Sequence, residues 1–126
     1  MRRKIEKEFD KKEEVTEQEA QKALFKTREF LQGHENKVPA RLREVWNDIL
    51  LLYQMLNDWS KGNYKAPWKT IAAISMGLLY LVNPLDIIPD FLFMVGWLDD
   101  VAILKKVIEY VKDDLEDYKT YLSENR

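Results

Sequence analysis

The sequence predicts an all-α fold: a small helical bundle of four main helices plus a short proline-broken helix, packed around a central apolar helix. Three observations predict it. Apolar residues recur at steps of three and four in separate windows. No segment alternates as a strand would. One stretch, Ile71 to Val82, contains no charged residue at all. The chain has 126 residues, of which 46% are hydrophobic and 33% charged. That is enough for one domain with its own core and a dense polar surface.

Residues 1–14 form a charged N-terminal extension. Lys and Arg alternate there with Glu and Asp, and Ile5 and Phe9 are its only large apolar side chains. An exposed helix fits this pattern better than a core element. Residues 15–126 make up the single helical domain. Thr16-Glu17-Gln18-Glu19 matches a capping box, in which the Thr hydroxyl and the Glu carboxylate satisfy each other's free backbone donors. Val15 and Ala20 stand where a hydrophobic staple would sit. The helix that follows runs to about Gln32, with Ala20, Ala23, Leu24, Thr27 and Leu31 on one face and Gly33 as its stop.

The window from 40 to 60 is the most periodic. Leu42, Val45, Trp46, Ile49, Leu52, Leu56 and Trp59 fall on one stripe, and Tyr53 widens it. Pro39 suits the first turn of this helix and Gly62 ends it. Its tandem aromatics read as core.

Pro67 opens the third helix, over 68–82. Its apolar groups lie on every side, so it is either central in the bundle or in contact with lipid. The twelve uncharged residues rise only about 18 Å, against a hydrocarbon core of about 30 Å. Such a helix is too short to span comfortably alone.

Asn83-Pro84-Leu85-Asp86 then starts a further short helix. Asn caps it, Pro takes the first position, and Asp meets the positive end of the dipole. Pro89 kinks or ends that piece. A short apolar run, Phe91 to Val95, closes at Gly96. Asp99 caps the last helix, with Leu98 and Ile103 as its staple, and that helix runs from Asp100 to about Ser123. Its stripe is Val101, Leu104, Ile108, Val111, Leu115, Tyr118 and Leu122.

Composition and charge exclude several classes of function. The net charge of −2 hides an asymmetry: residues 1–82 carry 15 basic and 12 acidic groups, a net of +3, and residues 83–126 carry 5 and 10, a net of −5. An acidic C-terminal part does not make a nucleic-acid footprint, which needs clustered Lys and Arg. The absence of cysteine rules out disulfides and thiolate metal sites. Met1-Arg2-Arg3-Lys4-Ile5-Glu6 has no apolar stretch behind its basic residues, so no cleavable signal peptide is expected. His34, the single histidine, sits beside Gly33 as a solvent-exposed cap residue at a helix end. No Ser/His/Asp pattern and no glycine cluster recommends a catalytic site or a phosphate loop, and no catalytic residue is assigned.

The segment from Tyr80 to Asp100 carries a recognisable pattern. Tyr80, then Pro84-Leu85-Asp86-Ile87-Ile88-Pro89-Asp90, then Gly96-Trp97-Leu98-Asp99-Asp100, resembles the signature of the YkvA-like family, domain of unknown function 1232. The likeness covers about residues 66–104. One departure is Phe93, where the family usually places a proline, so the turn before Gly96 is expected to stay more helical here. The resemblance implies a helical module with no established reaction. It also implies that some relatives sit in or on membranes. It supplies no catalytic residues.

Three readings compete for Asp86, Asp90, Asp99 and Asp100. In the architectural one, Asp86 and Asp99 cap helices, Pro84 and Pro89 fix the backbone, and Gly96 permits a positive φ. In the second, the four carboxylates form a hard-cation site for Mg²⁺, Mn²⁺ or Ca²⁺. Asp86 and Asp90 share a face on a continuous helix, but Pro89 disturbs it. In the third, 68–82 and 91–111 form a membrane hairpin, with Trp68 and Trp97 at interfacial depth, Lys65 and Lys69 at the entry, and the aspartates at the polar boundary. The expectation is a non-catalytic, cytoplasmic interaction or scaffold domain whose partner is a protein or a membrane surface. The alternatives are a divalent-cation-binding domain and an integral hairpin.

Overall fold

A computed structural model describes residues 17–82 and 100–125. Among these residues every regular element is helical: α1 (Glu17–Gly33), a 3₁₀ turn (Ala40–Val45), α2 (Trp46–Ser60), α3 (Trp68–Val82), α4 (Asp100–Tyr110) and α5 (Lys112–Glu124). The all-α bundle is therefore what the chain adopts. The capping-box residue Thr16 and the Pro-broken helix after Asn83 lie outside the described residues.

The apolar stripes fall where their spacing places them. Ala20, Ala23, Leu24 and Thr27 of α1 are buried, and Leu31 is half-buried. The window from 40 to 60 is not one α-helix. Pro39 accepts a bond at 3.0 Å from the Leu42 amide, and the chain winds as a 3₁₀ turn up to Val45, which has φ −109° and ψ 8°. The tighter winding eclipses residues three apart, so Leu42 and Val45 both point inward before α2 begins. In α2, Ile49, Leu52, Met55 and Leu56 are buried, whereas Trp46, Tyr53 and Trp59 are only half-buried. Gly62 closes this helix with φ +78°. Its amide bonds Trp59 O, and the Asn63 amide bonds Asp58 O at 2.9 Å. This bond pair is the Schellman pattern, which glycine adopts without a Cβ penalty.

α3 is the central rod. Every residue from Thr70 to Leu79 is buried, as is Leu81. Its covers are α1, which packs on it most extensively, then α4, then α2. Sequence spacing points to 40–60 and 100–123 as the flanks; the structure adds α1 as the largest. α1 supplies small residues, Ala20 and Ala23, and small residues let two helices approach closely.

Directions follow from side-chain pairs. The Gln21 amide donates to Ser60 Oγ at 2.7 Å, and Arg28 Nε donates to Tyr53 OH at 2.9 Å, so α1 and α2 are antiparallel. On the other side, Thr70 meets Asp114 and Gly77 faces Val107: seven residues forward on α3 match seven residues back on the α4–α5 rod. These two are antiparallel as well. Since α1 begins where α2 ends and α3 starts, α1 and α3 run the same way.

The last helix is expected as one piece and is found as two. Val111, with φ −100° and ψ 12°, separates α4 from α5. Val111 N still bonds Val107 O, and Leu115 N bonds Val111 O at 2.9 Å, so the chain bends there while those bonds persist. The buried stripe is Ile103, Leu104, Val107, Val111, Leu115 and Tyr118, with Val101, Ile108 and Leu122 at its half-buried edge.

Candidate functional site

The antiparallel register of α3 and α4 fixes where the Pro/Asp segment leaves and returns. Carried forward from Gly77 and Val107, it brings Val82 beside the start of α4, so residues 83–99 leave and re-enter at one end of the bundle. Tyr80 lies half-buried in the last turn of α3, and Asp100 is the first residue of α4. Pro84, Asp86, Ile88, Pro89, Asp90, Gly96 and Asp99 lie outside the described residues. So do the proposed cap at Asp99 and the departure at Phe93. Among the described residues, no group of three or more His, Asp or Glu side chains is arranged to hold a metal ion.

That end of the bundle is also where α1 finishes and the 3₁₀ turn lies. Lys105 of α4 makes an ion pair with Glu44 at 2.7 Å, which ties the turn to α4. Both side chains are more than half exposed, so the pair adds little stability. His34 differs from expectation. It is half-buried, its Nδ1 lies 2.8 Å from Phe30 O, and its ring sits 4.5 Å from the Phe30 ring. With the proton on Nδ1, the imidazole satisfies one of the free carbonyls at the end of α1 and packs on the aromatic below it.

The opposite end holds a polar cluster that sequence spacing did not single out. The Tyr118 hydroxyl, on a fully buried side chain, donates to Asp58 Oδ2 at 2.5 Å, joining α5 to α2. The Thr70 hydroxyl donates to Asp114, joining α3 to α5. Tyr64 stands edge-on to Tyr118, with centroids 5.0 Å apart, and Tyr121 lies 4.9 Å from Tyr64 and donates to Asn63 O at 3.1 Å. Trp59 and Trp68 pack 5.6 Å apart beside the connecting turn.

Burial pushes the Tyr118 phenol well above its ordinary value near 10, and the hydrogen bond to Asp58 and that carboxylate's charge push it further. Tyr64 is raised too, first by burial and then by Asp117 and Asp114. Both phenols therefore stay protonated donors at neutral pH and supply no base or nucleophile. The cluster ties three helices together. The signal available in sequence was the i,i+4 pair Asp114 and Tyr118, which puts a carboxylate and a phenol on one face beside a helix already marked as core.

Comparison with known proteins agrees with the pattern at Tyr80–Asp100. A family model described as "Protein of unknown function (DUF1232)" matches residues 70–105. The chain is 38% identical over 74 residues to the uncharacterized membrane protein YkvA of Bacillus subtilis (strain 168), which is 58% of this chain and 70% of that protein. No solved structure matches. With that identity over most of the relative's length, the chain belongs to the YkvA-like DUF1232 family.

Proposed function

We propose that this protein is a non-catalytic helical scaffold domain that associates with a membrane through the end of the bundle from which residues 83–99 depart. The observation that carries this reading is the cover on α3. This helix, uncharged after Lys69, is buried continuously from Thr70 to Leu79 by α1, α2 and α4, so its apolar surface is already used. No helix among the described residues is long and apolar enough to cross a membrane. The relative is named a membrane protein. Contact with lipid, if not made by α3, falls to the connection, whose sequence includes Phe91, Leu92, Phe93 and Trp97. Exposed Lys37 and Arg43 stand at the same end beside exposed Glu35 and Glu44, a rim of mixed charge. Aromatic residues suit the headgroup region, and binding there needs no span.

Fractionation of the native protein tests this. The expected result is recovery with membranes and release by a high-salt or alkaline wash without detergent. Release only by detergent, together with acyl-chain labelling at Leu78 or Leu81, would replace it with an integral hairpin. Absence from the membrane fraction, and no binding to anionic vesicles, would leave a soluble scaffold and end the membrane part of the reading.

A further inference from the structure

We infer that the open groove between α1 and α2 is the self-association surface of this protein, occupied by a second copy of the same chain. The groove encloses about 510 Å³ and is lined by Arg28, Leu31, Gln32, Glu35, Trp46, Leu50 and Tyr53. Among the described residues the two exposed large apolar side chains are Phe25, at 55%, and Leu50, at 40%, and they stand on the two helices that form this groove. Phe25 also shares the outer flank of α1 with Arg28 and Gln32, at spacings of three and seven. The floor is apolar and aromatic, and the core of such an interface favours Trp, Tyr and Arg.

The charges on the rim select the occupant. Arg28, on α1, and Glu35, two residues past the end of that helix at Gly33, both line the groove, with Gln32 between them in the sequence. This surface is complementary to itself when inverted. About a two-fold axis near Gln32, Arg28 of each copy faces Glu35 of the other, and the two Gln32 amides meet, each able to donate and accept. Arg28 Nε is already held by Tyr53 OH, which fixes the side chain along the groove and leaves the amino groups of a five-donor guanidinium to reach a carboxylate. Leu50 then closes against its counterpart, and Trp46 against Tyr53 of the other copy. A partner of one charge sign, such as a lipid headgroup, would satisfy only half of this rim.

Sedimentation of the full chain over a range of concentrations, with far-UV circular dichroism confirming the fold of every variant, tests the inference. The wild type is expected to form dimers. Glu35→Arg and Arg28→Glu each place like charges face to face and are expected to weaken the dimer by about tenfold or more. The double variant R28E/E35R restores complementarity and is expected to recover dimerisation. Leu50→Glu, at an exposed site where folding is not at stake, is expected to give a monomer. A wild type that stays monomeric at high concentration overturns the inference. So does a dimer indifferent to Glu35→Arg and Leu50→Glu, or a charge swap that fails to rescue. Membrane release by salt is read on a different assay, so failure here leaves the membrane reading standing.

Discussion

A Cβ built on Gly77 would come within 2.9 Å of Val107 Cγ2, closer than real side chains approach. The close seating of α4 on α3 thus depends on one residue having no side chain. The φ of Gly77 is not positive, so alanine would suit the helix by propensity, and the obstacle is purely spatial.

Gly77→Ala is therefore expected to destabilise the fold by up to about 2 kcal/mol, because overpacking of about 1–3 kcal/mol opposes a propensity gain of about 1 kcal/mol. In a Val107→Ala background the obstruction is gone, and the same substitution is expected to stabilise by about 1 kcal/mol. Urea unfolding of the four proteins in the cycle checks this. A Gly77→Ala effect of unchanged sign in both backgrounds would refute the steric account.

Tyr118→Phe leaves Asp58 without its donor and is expected to cost about 1.5–3 kcal/mol, the usual range for a bond to a charged group. The accompanying pH dependence has a definite sign. Because the phenol is raised in the folded state, the native form holds its proton where the unfolded chain has lost it. Stability is fully present below about pH 10 and declines as pH rises beyond it. In Tyr118→Phe that alkaline decline should be shallower, with Tyr64 supplying the remainder. Thermal melts between neutral and strongly alkaline pH measure both slopes.

Thr27 is fully buried on α1, and its hydroxyl finds no partner among the described residues. Replacing it with valine keeps the shape and removes an unsatisfied polar atom. Thr27→Val is expected to stabilise by about 1 kcal/mol, raising Tm by a few degrees. A lower Tm would mean that the hydroxyl has a partner after all.

Thr70 and Asp114 form a tie of the opposite kind, with both groups used. Asp114→Ala strands a buried hydroxyl and is expected to cost about 1–3 kcal/mol. Adding Thr70→Val should recover part of that loss, because no buried donor then goes unmet. Independent, additive costs in denaturant unfolding would show the two do not interact.

Under the architectural reading of the aspartates, millimolar Mg²⁺, Mn²⁺ or Ca²⁺ is expected to leave Tm unchanged. A ligand at about 100 times its Kd would add about 2.7 kcal/mol, which a melt resolves easily. A cation-dependent rise abolished by Asp90→Asn would instead support the cation reading of Asp86, Asp90, Asp99 and Asp100.

The helical class, the start of α3 at Trp68 and its central place were legible because apolar spacing and the absence of charge act locally. The break at Val111 was not, since the stripe from Val101 to Leu122 continues through it and only packing reveals the bend. Nor was the 3₁₀ start of the 40–60 window, where Leu42 and Val45 are compatible with either winding. The Tyr118–Asp58 bond spans sixty residues and is invisible to any local pattern. His34 caps the end of α1 as its place beside Gly33 suggests, but its half-burial against the Phe30 ring is a contact that composition does not announce. The acidic motif was legible as a family signature, and a signature specifies kinship rather than chemistry.

The shared direction of α1 and α3 bears on how the chain is made. Two helices running the same way need an intervening element to carry the chain back, and here that element is α2. A ribosome therefore finishes α1 and α2 before the uncharged rod emerges, and two of its three protective neighbours are already waiting. A chain begun after Gly33 would release the same rod with one whole flank bare, and its first available solvent would be a bilayer or another such chain.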